Sequence, residues 1–521
     1  MQFSKWNVIH LSLAIFVINI ALTTWTVAVK PVLNYDAILY ITAAKAISDG
    51  NWGLASDLYS GTLYPFLIHL MSKLPGLSFE NAAHALNCLL LTLISIAFIQ
   101  TVKLLKPVHD KPLKSLDLER SNSRLILISA AVILFFPSLI KFRPIIIRDF
   151  AYLACYLWSI YFFLLYCKNK QQIHLFAWAA LLIIGAFFRI ESAVFLICIT
   201  FIYFSYSVYK KTRQRNYTLI TSITLLGIFF TLCLLLIPSY QANNSHSNPL
   251  LTSLTYPSEY ITRAIGILNK KLLASTELSG GIALAILKPI GSVLEESLKR
   301  LEVVYAILAL VAIKMRLTLT QTYQRWVIGG YIAINLMTLV LFEISLGYLT
   351  SRYTLAVVLT ILLLTPFFLE KTFDRFTEKK KLTKAALIFL VIVLCTLSVK
   401  RLGFSDRHIE FTAGHWVQAQ LEESQSIVSN NSKILYYANQ HPYSSQHKNR
   451  SRHYRFDTKH LLSNKNKEHF EKAHFLVFMV HQSKPEDIEQ NRLFENEYGK
   501  AIKKIKQHDR LHVYIYQIKP K

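Results

Sequence analysis

The sequence predicts an α-helical polytopic membrane protein of about eleven spans, with a small C-terminal α/β domain outside the membrane. Of its 521 residues, 53% are hydrophobic and only 17% are charged, whereas a soluble globular protein carries about 25% charged residues. Apolar runs long enough to cross a bilayer recur from residue 8 to residue 399. This composition excludes a water-soluble enzyme, and the 32 Phe and 27 Tyr exclude a disordered chain.

Eleven apolar runs are predicted as membrane spans. The first, 8–29, has about 22 residues, whereas the apolar core of a signal peptide has about 7 to 15, so we expect a retained span. The chain shows no internal repeat, which argues against a transporter built from two similar halves. The remaining predicted spans are 82–102, 125–140, 150–167, 173–188, 192–208, 219–237, 303–313, 326–342, 353–369 and 385–399.

The orientation follows from the distribution of Lys and Arg. A net charge of +26 is typical of nucleic-acid-binding proteins and also of membrane proteins with basic cytoplasmic loops, and the apolar runs favour the second class, with no nucleic-acid partner. Basic residues concentrate in alternate connectors, which predicts a cytoplasmic amino terminus. The basic connectors are 103–120, 168–170, 210–215, 314–325 and 371–384, and those predicted to face outward are 30–81, 141–149, 189–191, 238–300, 343–352 and the tail after 400.

Two domains are predicted, a membrane domain over 1–400 and a soluble α/β domain over 401–521. In the second domain, the short β-type runs 433–438, 475–480 and 511–518 alternate with helical stretches. Its histidines lack a metal-ligand spacing such as H-E-x-x-H, so we expect solvated surface histidines there. The six cysteines form no C-x-x-C pair, which argues against a zinc ribbon or a disulfide framework.

Charged residues cluster at the predicted outward ends of the spans. Each has an ordinary explanation: a helix cap, a local ion pair, a snorkelling side chain or an interfacial anchor. Together they place acidic and basic groups at one face of one bundle, which predicts a site for an anionic ligand at the outer interface. Asp36 also begins a stretch to Gly50 that is predicted to be an amphipathic helix lying in the interface. The clustered residues are Asp36, Arg143, Arg148, Asp149, Arg189, Glu191, Arg352 and Tyr353.

The order of these elements resembles the GT-C superfamily of membrane glycosyltransferases, which includes the protein O-mannosyltransferases and the bacterial aminoarabinose transferase of lipid A. The resemblance covers roughly residues 1–370. It rests on an outward Asp after the first span, an aromatic loop, an Arg-Asp pair opening the fourth span, an Arg-x-Glu after the fifth, and a late Arg-Tyr. In this chain these are Asp36, Gly50-Asn51-Trp52 with Thr62-Leu63-Tyr64-Pro65, Arg148-Asp149, Arg189-Ile190-Glu191 and Arg352-Tyr353.

The resemblance implies the chemistry of the site. Asp36 and Asp149 correspond to the catalytic acidic positions, and Arg352, with Arg148 or Arg189, is expected to bind the phosphate of a polyprenyl-phosphate sugar. The supporting residues are expected to be Arg143, Glu191, Tyr353, Tyr40 and Tyr64. Two departures stand out. Asp36 is followed by Ala37 where many relatives have Glu, so a second carboxylate that could bind a divalent cation is missing. Gly61-Thr62-Leu63-Tyr64-Pro65 stands where aminoarabinose-transferase-like members have a Lys-Pro-Pro element.

The predicted reaction is transfer of a sugar to a hydroxyl of a lipid, glycan or protein acceptor at the periplasmic face of the inner membrane, among the membrane lipids. One carboxylate can act as the general base, and guanidinium groups can stabilise the departing phosphate, which predicts inversion at the anomeric carbon. A retaining enzyme would need a nucleophilic carboxylate. The alternatives are an O-antigen ligase or polymerase, a lipid or solute transporter, and a scaffold without catalytic activity.

Overall fold

The computed structural model describes residues 6–59, 61–107, 115–209, 281–346, 348–377, 396, 398–399, 408–422, 425, 427–439, 473–507 and 511–518. Within these ranges the protein is mostly helical, with a small sheet near the carboxyl terminus. The predicted span 219–237, nearly all of 385–399, most of the predicted outer loop 238–300 and the predicted domain boundary at residue 400 lie outside the described residues.

The described part of the first 400 residues forms a helical bundle. Its central helices are α5 and α8, which pack against each other, and α9 also packs against α8. The helices are α1 Trp6–Val29, α2 Tyr35–Ser48, α3 Trp52–Leu58, α4 Leu63–Ser72, α5 Phe79–Leu105, α6 Ser115–Leu134, α7 Pro137–Phe142, α8 Asp149–Asn169, α9 Gln172–Phe188, α10 Glu191–Tyr209, α11 Gly281–Leu301, α12 Val303–Lys314, α13 Thr322–Leu346, α14 Leu355–Leu362 and α15 Thr365–Thr377.

Among the described residues, five helical segments are long and apolar enough to cross a membrane, and they are compatible with a multi-pass membrane protein. This confirms the prediction of a helical chain with apolar helices of spanning length, but the number eleven is not confirmed. Four other predicted spans correspond to apolar helices of 10–17 residues, which are Asn122–Leu134, Gln172–Phe188, Glu191–Ser205 and Val303–Lys314. The five longer segments are Ile9–Val29, Phe79–Leu105, Asp149–Asn169, Thr322–Ile344 and Leu355–Phe373.

Two local predictions in the bundle are wrong. The predicted span 125–140 is interrupted, because α6 ends at Leu134 and the short α7 begins at Pro137, whose missing N–H suits only the first turn of a helix. The stretch from Asp36 to Gly50 does form a helix, α2, but it lacks the one-sided apolar face of the predicted amphipathic helix. Nine of its residues are buried, because small side chains such as Ala43 and Ala44 allow neighbouring helices to pack closely around it.

The described residues of the carboxyl-terminal part form a four-stranded sheet with helices on both faces, which confirms the expected small sheet. The strand order is β1-β2-β4-β3, with β1 parallel to β2 and the other pairs antiparallel. Alternate residues of β2 face the two layers, as the two-residue period of a strand requires: Val477 packs with α16 and α17, while Phe478 packs with α18. The elements are α16 Ile409–Gln420, β1 Ile427–Ser429, α17 Ser432–Tyr437, β2 Phe475–His481, α18 Pro485–Tyr498, β3 Lys503–Gln507 and β4 Leu511–Gln517.

One predicted strand in this region is wrong, because residues 433–438 form helix α17 instead. The side chain of Asn431 accepts a hydrogen bond from the N–H of Lys433 and so caps the helix. The helix then presents Tyr437 to the membrane part of the protein. Its hydroxyl accepts a hydrogen bond of 2.8 Å from the N–H of Leu33 and donates one of 3.2 Å to the carbonyl of Pro31. Helix α17 therefore joins the sheet to the connector between α1 and α2.

Candidate active site

Asp36 and Arg352 meet at the ends of α2 and α14. Asp36 lies in the first turn of α2, and Arg352 precedes α14 by three residues. Nη1 of Arg352 donates a hydrogen bond to Oδ2 of Asp36, and both side chains keep about a quarter to a third of their surface exposed, at 26% and 31%. The pair joins residues that are 316 positions apart in the chain. It is open to solvent or to a ligand on one side.

Asp149 and Arg189 form a second, more buried ion pair beside the first. Asp149 begins α8, and Arg189 ends α9, where its N–H bonds the carbonyl of Gly185. Nη1 of Arg189 lies 2.5 Å from Oδ1 of Asp149, and their side chains are only 9% and 5% exposed. The other carboxylate oxygen of Asp149 lies 3.9 Å from Nε of Arg352. Asp149 is therefore positioned between the two arginines.

Glu191 completes the chain of charges. It begins α10 and accepts hydrogen bonds from Nη2 and Nε of Arg189 at 2.5 and 3.3 Å. The turn that holds both residues is tight because α9 and α10 approach closely at Gly185, where an added Cβ would lie 2.4 Å from Oγ of Ser192. The five side chains thus form one continuous sequence of ion pairs, Asp36–Arg352–Asp149–Arg189–Glu191, which we call the ion-pair chain.

Both arginines of the ion-pair chain remain charged. Burial alone would lower the pKa of Arg352, but the charge of Asp149 and the hydrogen bond to Asp36 outweigh it, and the pKa is raised above its ordinary value. For Arg189, burial also lowers the pKa, while the charges of Glu191 and Asp149 raise it by more. Their charges are therefore fixed at every pH at which the protein would work.

The ring of Tyr353 connects the two arginines. The guanidinium carbon of Arg189 lies 4.1 Å from the ring centroid and that of Arg352 lies 5.5 Å from it, which is within the range of cation–π attraction. Tyr152 contributes a second ring, 5.6 Å from Arg189. These aromatic contacts restrict the planes of both guanidinium groups.

A group of tyrosines lies near the same end of α2. The ring of Tyr40 makes edge contacts with Tyr59 and Tyr64 at centroid distances of 4.8 and 5.0 Å. Arg148 lies over the Tyr59 ring, 5.4 Å from its centroid, and the hydroxyl of Tyr64 donates to Asn87 at 2.6 Å. Arg148 is adjacent in sequence to Asp149 of the ion-pair chain, but its side chain lies against the ring of Tyr59.

Arg143 does not join the other predicted site residues. It is only 1% exposed, and its Nη1 donates to the side chains of Asn19 at 2.8 Å and of Thr23 at 3.3 Å, both on α1. Its hydrogen bonds therefore link the segment before α8 to the first helix. The structure gives it the contacts of a packing residue.

Sequence reasoning missed the amides that hold the loop before α8 in place. Asn34 exchanges two hydrogen bonds with the backbone of Ile146, at 3.1 and 3.2 Å, and Asn87 donates to the carbonyl of Ile145 at 3.0 Å. This loop carries Arg148 toward the site. Asn87 could have been found, because a polar residue inside the apolar run 82–102 is costly unless it has a role.

Among the described residues, no group of three or more His, Cys, Asp or Glu is arranged to hold a metal ion. Each carboxylate of the ion-pair chain is instead bonded to an arginine. No family model and no curated protein matches the chain.

Proposed function

We propose that this chain is an integral-membrane glycosyltransferase that moves a sugar from a polyprenyl-phosphate donor to a hydroxyl of a lipid, glycan or protein acceptor. The single observation that supports it most strongly is the ion-pair chain, in which Asp36, Asp149 and Glu191 alternate with Arg352 and Arg189 at the ends of five helices. The resemblance to the GT-C superfamily assigns transfer chemistry to these same positions.

The donor phosphate is assigned to Arg352, with Arg148 as a second cation. Arg352 is the partly exposed arginine of the ion-pair chain, and its buried Nε makes no hydrogen bond to any residue in the described ranges. A phosphate offers several acceptor oxygens, so it can replace Asp36 at the guanidinium and use more of its donors. Arg148 can add a second positive charge, because it is the residue immediately before Asp149.

Asp36 is assigned the role of general base. Its carboxylate accepts a hydrogen bond from Arg352. Once the phosphate occupies Arg352, Asp36 is free to accept the proton of an acceptor hydroxyl. The acceptor oxygen then forms a bond to the anomeric carbon, and the bond from that carbon to the phosphate oxygen breaks with its electron pair going to the phosphate. This single displacement inverts the anomeric centre.

Asp149, Arg189 and Glu191 are assigned a positioning role. All three nitrogens of Arg189 already bond carboxylates. This arginine therefore has fewer free hydrogen-bond donors for a phosphate than Arg352 has. It orients Asp149, and Asp149 in turn faces Nε of Arg352. A fixed arrangement of this kind costs no reorganisation during the reaction.

The proposed setting is the inner membrane, with eleven spans and with the ion-pair chain and the C-terminal domain on the periplasmic side. Alternating loop charge supports this orientation. Cysteines placed at Gly50 and Lys448 should react with an impermeant thiol reagent from outside, and cysteines at Lys111 and Lys380 should be protected. Of these positions, only Gly50 belongs to the described ranges. Protection at position 448 would overturn the assignment of the site to the outer face.

Mass analysis of cell-envelope glycans and lipid A tests the activity. Cells that contain the wild-type protein are compared with cells that lack it and with cells that contain Asp36→Asn or the control Arg492→Ala, which changes a side chain 76% exposed on α18. We expect one sugar modification to be present with the wild type and the control and absent from the other two strains. Identical envelopes in all four strains would overturn the proposal.

A further inference from the structure

A second cluster of polar groups lies at the far side of the bundle, in the connector between α12 and α13. The connector forms a cleft with a volume of about 430 Å³. Small-ligand sites commonly have about 300 to 1,000 Å³. The cleft is lined by Ile313, Arg316, Thr318, Leu319, Thr320 and Arg325. We call it the connector cleft. The described residues of its lining include two arginines and no acidic residue.

Two threonine hydroxyls in the lining have unused hydrogen-bonding capacity. Thr318 is only 2% exposed, and the hydroxyls of Thr318 and Thr320 are buried without a hydrogen-bond partner among the residues that the structure describes. Buried hydroxyls normally have partners, because leaving one unpaired is unfavourable. Rotation about χ1 can turn either hydroxyl toward a ligand oxygen. The connector cleft therefore combines positive charge with spare neutral donors, which is the composition of an anion site.

The backbone of the connector is held in an unusual shape. Arg316 and Leu319 both have φ of 53°, in the left-handed region that side chains such as Leu rarely adopt. Arg325 stabilises this shape, because its Nε and Nη2 donate to the carbonyls of Leu319 and Thr320 at 2.8 and 3.1 Å. The carbonyl oxygens that would repel an anion are thus occupied by Arg325, while Arg316 remains exposed.

The position of the connector cleft indicates where the anion comes from. The connector leads directly into Thr322–Ile344, a candidate spanning segment, and Gln324 bonds the carbonyl of Leu104 at the end of α5, another such segment. Ends of spanning helices lie at the membrane–water interface, where lipid headgroups lie. Ile313 in the lining is 42% exposed, and Trp326, the residue after Arg325, is 38% exposed, as is common for side chains at that depth.

We propose that the connector cleft binds the phosphate group of an anionic membrane lipid, with Arg316 and the hydroxyls of Thr318 and Thr320 as its ligands and Arg325 holding the loop. Ile313 would contact the apolar part of the lipid next to the headgroup. The proposal does not depend on the transferase activity, since the cleft shares no residue with the ion-pair chain.

Native mass spectrometry of the full chain, purified in a neutral detergent, tests this proposal. The probes are phosphatidylglycerol, phosphatidylcholine and inorganic phosphate, each added over the same concentration range. The variants are Arg316→Gln, which removes the exposed charge, and Thr318→Val, which removes a hydroxyl at nearly constant shape. Lys168→Gln is the matched control, because it removes an exposed cation at the end of α8, in another connector predicted to be cytoplasmic.

We expect the wild type to retain one phosphatidylglycerol more strongly than phosphatidylcholine. Arg316→Gln should weaken this binding at least fivefold and Thr318→Val at least twofold, while Lys168→Gln should leave it unchanged. Equal retention of the two lipids, or an equal loss in Lys168→Gln, would show a general surface charge effect and overturn the proposal. Binding of inorganic phosphate without any preference for phosphatidylglycerol would overturn the lipid assignment and leave a site for a free anion. A thermal unfolding scan identifies any variant that fails to fold.

Discussion

Arg189 uses all three of its nitrogens on two carboxylates, with Nη1 bonded to Asp149 and with Nε and Nη2 bonded to Glu191. Arg352, in contrast, bonds Asp36 through Nη1 and leaves Nε without a hydrogen-bond acceptor among the described residues. Both arginines lie within cation–π distance of the same tyrosine ring, Tyr353. Arg189, whose hydrogen-bond donors are all used, is suited to holding the site together. Arg352, which has an unused donor, is suited to binding a ligand.

The first prediction concerns Glu191→Gln, which weakens the hold on Arg189 without leaving a buried arginine unpaired, because Asp149 remains. We expect kcat for sugar transfer to fall by about tenfold to a hundredfold, as small displacements of a catalytic group cost about this much. The KM for the donor should stay within about twofold. Steady-state kinetics with a polyprenyl-phosphate sugar measure both. A rise in KM alone would instead make Arg189 a phosphate ligand.

The second prediction concerns Arg352. Arg352→Ala should weaken donor binding by more than tenfold, whereas Arg352→Lys should be only partly damaging, because Lys keeps the charge but loses the planar fork. Binding of a polyprenyl-phosphate donor to the purified protein measures this, with Arg492→Ala as the control. Wild-type donor affinity in Arg352→Ala would remove Arg352 from the donor site.

The third prediction concerns Asp36→Asn, which preserves shape but removes basicity. The transfer rate should fall by about 10² to 10⁴, as is typical when general-base catalysis is lost. Donor affinity should be unchanged or higher, because the carboxylate that competes for Arg352 has gone. Asp57→Asn is the matched control, since Asp57 is an exposed carboxylate on the neighbouring α3. Near-normal turnover in Asp36→Asn would move the base to Asp149.

The fourth prediction concerns the attachment of α17 to the connector between α1 and α2. Tyr437→Phe removes two hydrogen bonds and leaves the N–H of Leu33 buried without its acceptor, which costs about 1 to 3 kcal/mol. We expect a lower thermal unfolding midpoint for this variant, while Tyr348→Phe should be neutral because Tyr348 is 57% exposed. Equal midpoints for both variants would mean that the attachment contributes little to stability.

The same tyrosine should make stability sensitive to alkaline pH. Burial, opposed in part by the hydrogen bond from Leu33, raises the pKa of Tyr437 to about 12, whereas an unfolded Tyr has a pKa of about 10. Its contribution is therefore complete below about pH 10 and is lost as the pH rises from there to about 12. The drop in unfolding midpoint between pH 9 and pH 11 should be larger for the wild type than for Tyr437→Phe.

The sequence was sufficient to predict the apolar helices and the C-terminal sheet, because both follow from local patterns of hydrophobicity. Strands 475–480 and 511–518 were predicted correctly for this reason. Residues 433–438 were not, because the cap provided by Asn431 competes with their β-type composition. The amphipathic character predicted for α2 was also wrong, since the burial of most of its residues depends on neighbours that are distant in the chain.

The site shows a similar division. Charged residues at helix ends could be identified one by one, but their pairing could not, since each bond of the ion-pair chain except that between Arg189 and Glu191 joins distant parts of the sequence. Arg143 illustrates this. Nothing in the sequence distinguishes it from Arg148, yet it bonds Asn19 and Thr23 on α1.

The long separations in this structure have a consequence for biosynthesis. Asp36 is translated 316 residues before Arg352, and Leu33 is translated 404 residues before Tyr437. At a translation rate of about 5 to 20 residues per second, Arg352 and Tyr437 are synthesised roughly 15 to 80 s after Asp36 and Leu33. During that time the nascent chain has an uncompensated carboxylate at α2 and an exposed backbone N–H beside it. A truncated product lacking Arg352 would keep this defect permanently, so it should be recognised and degraded by membrane quality control.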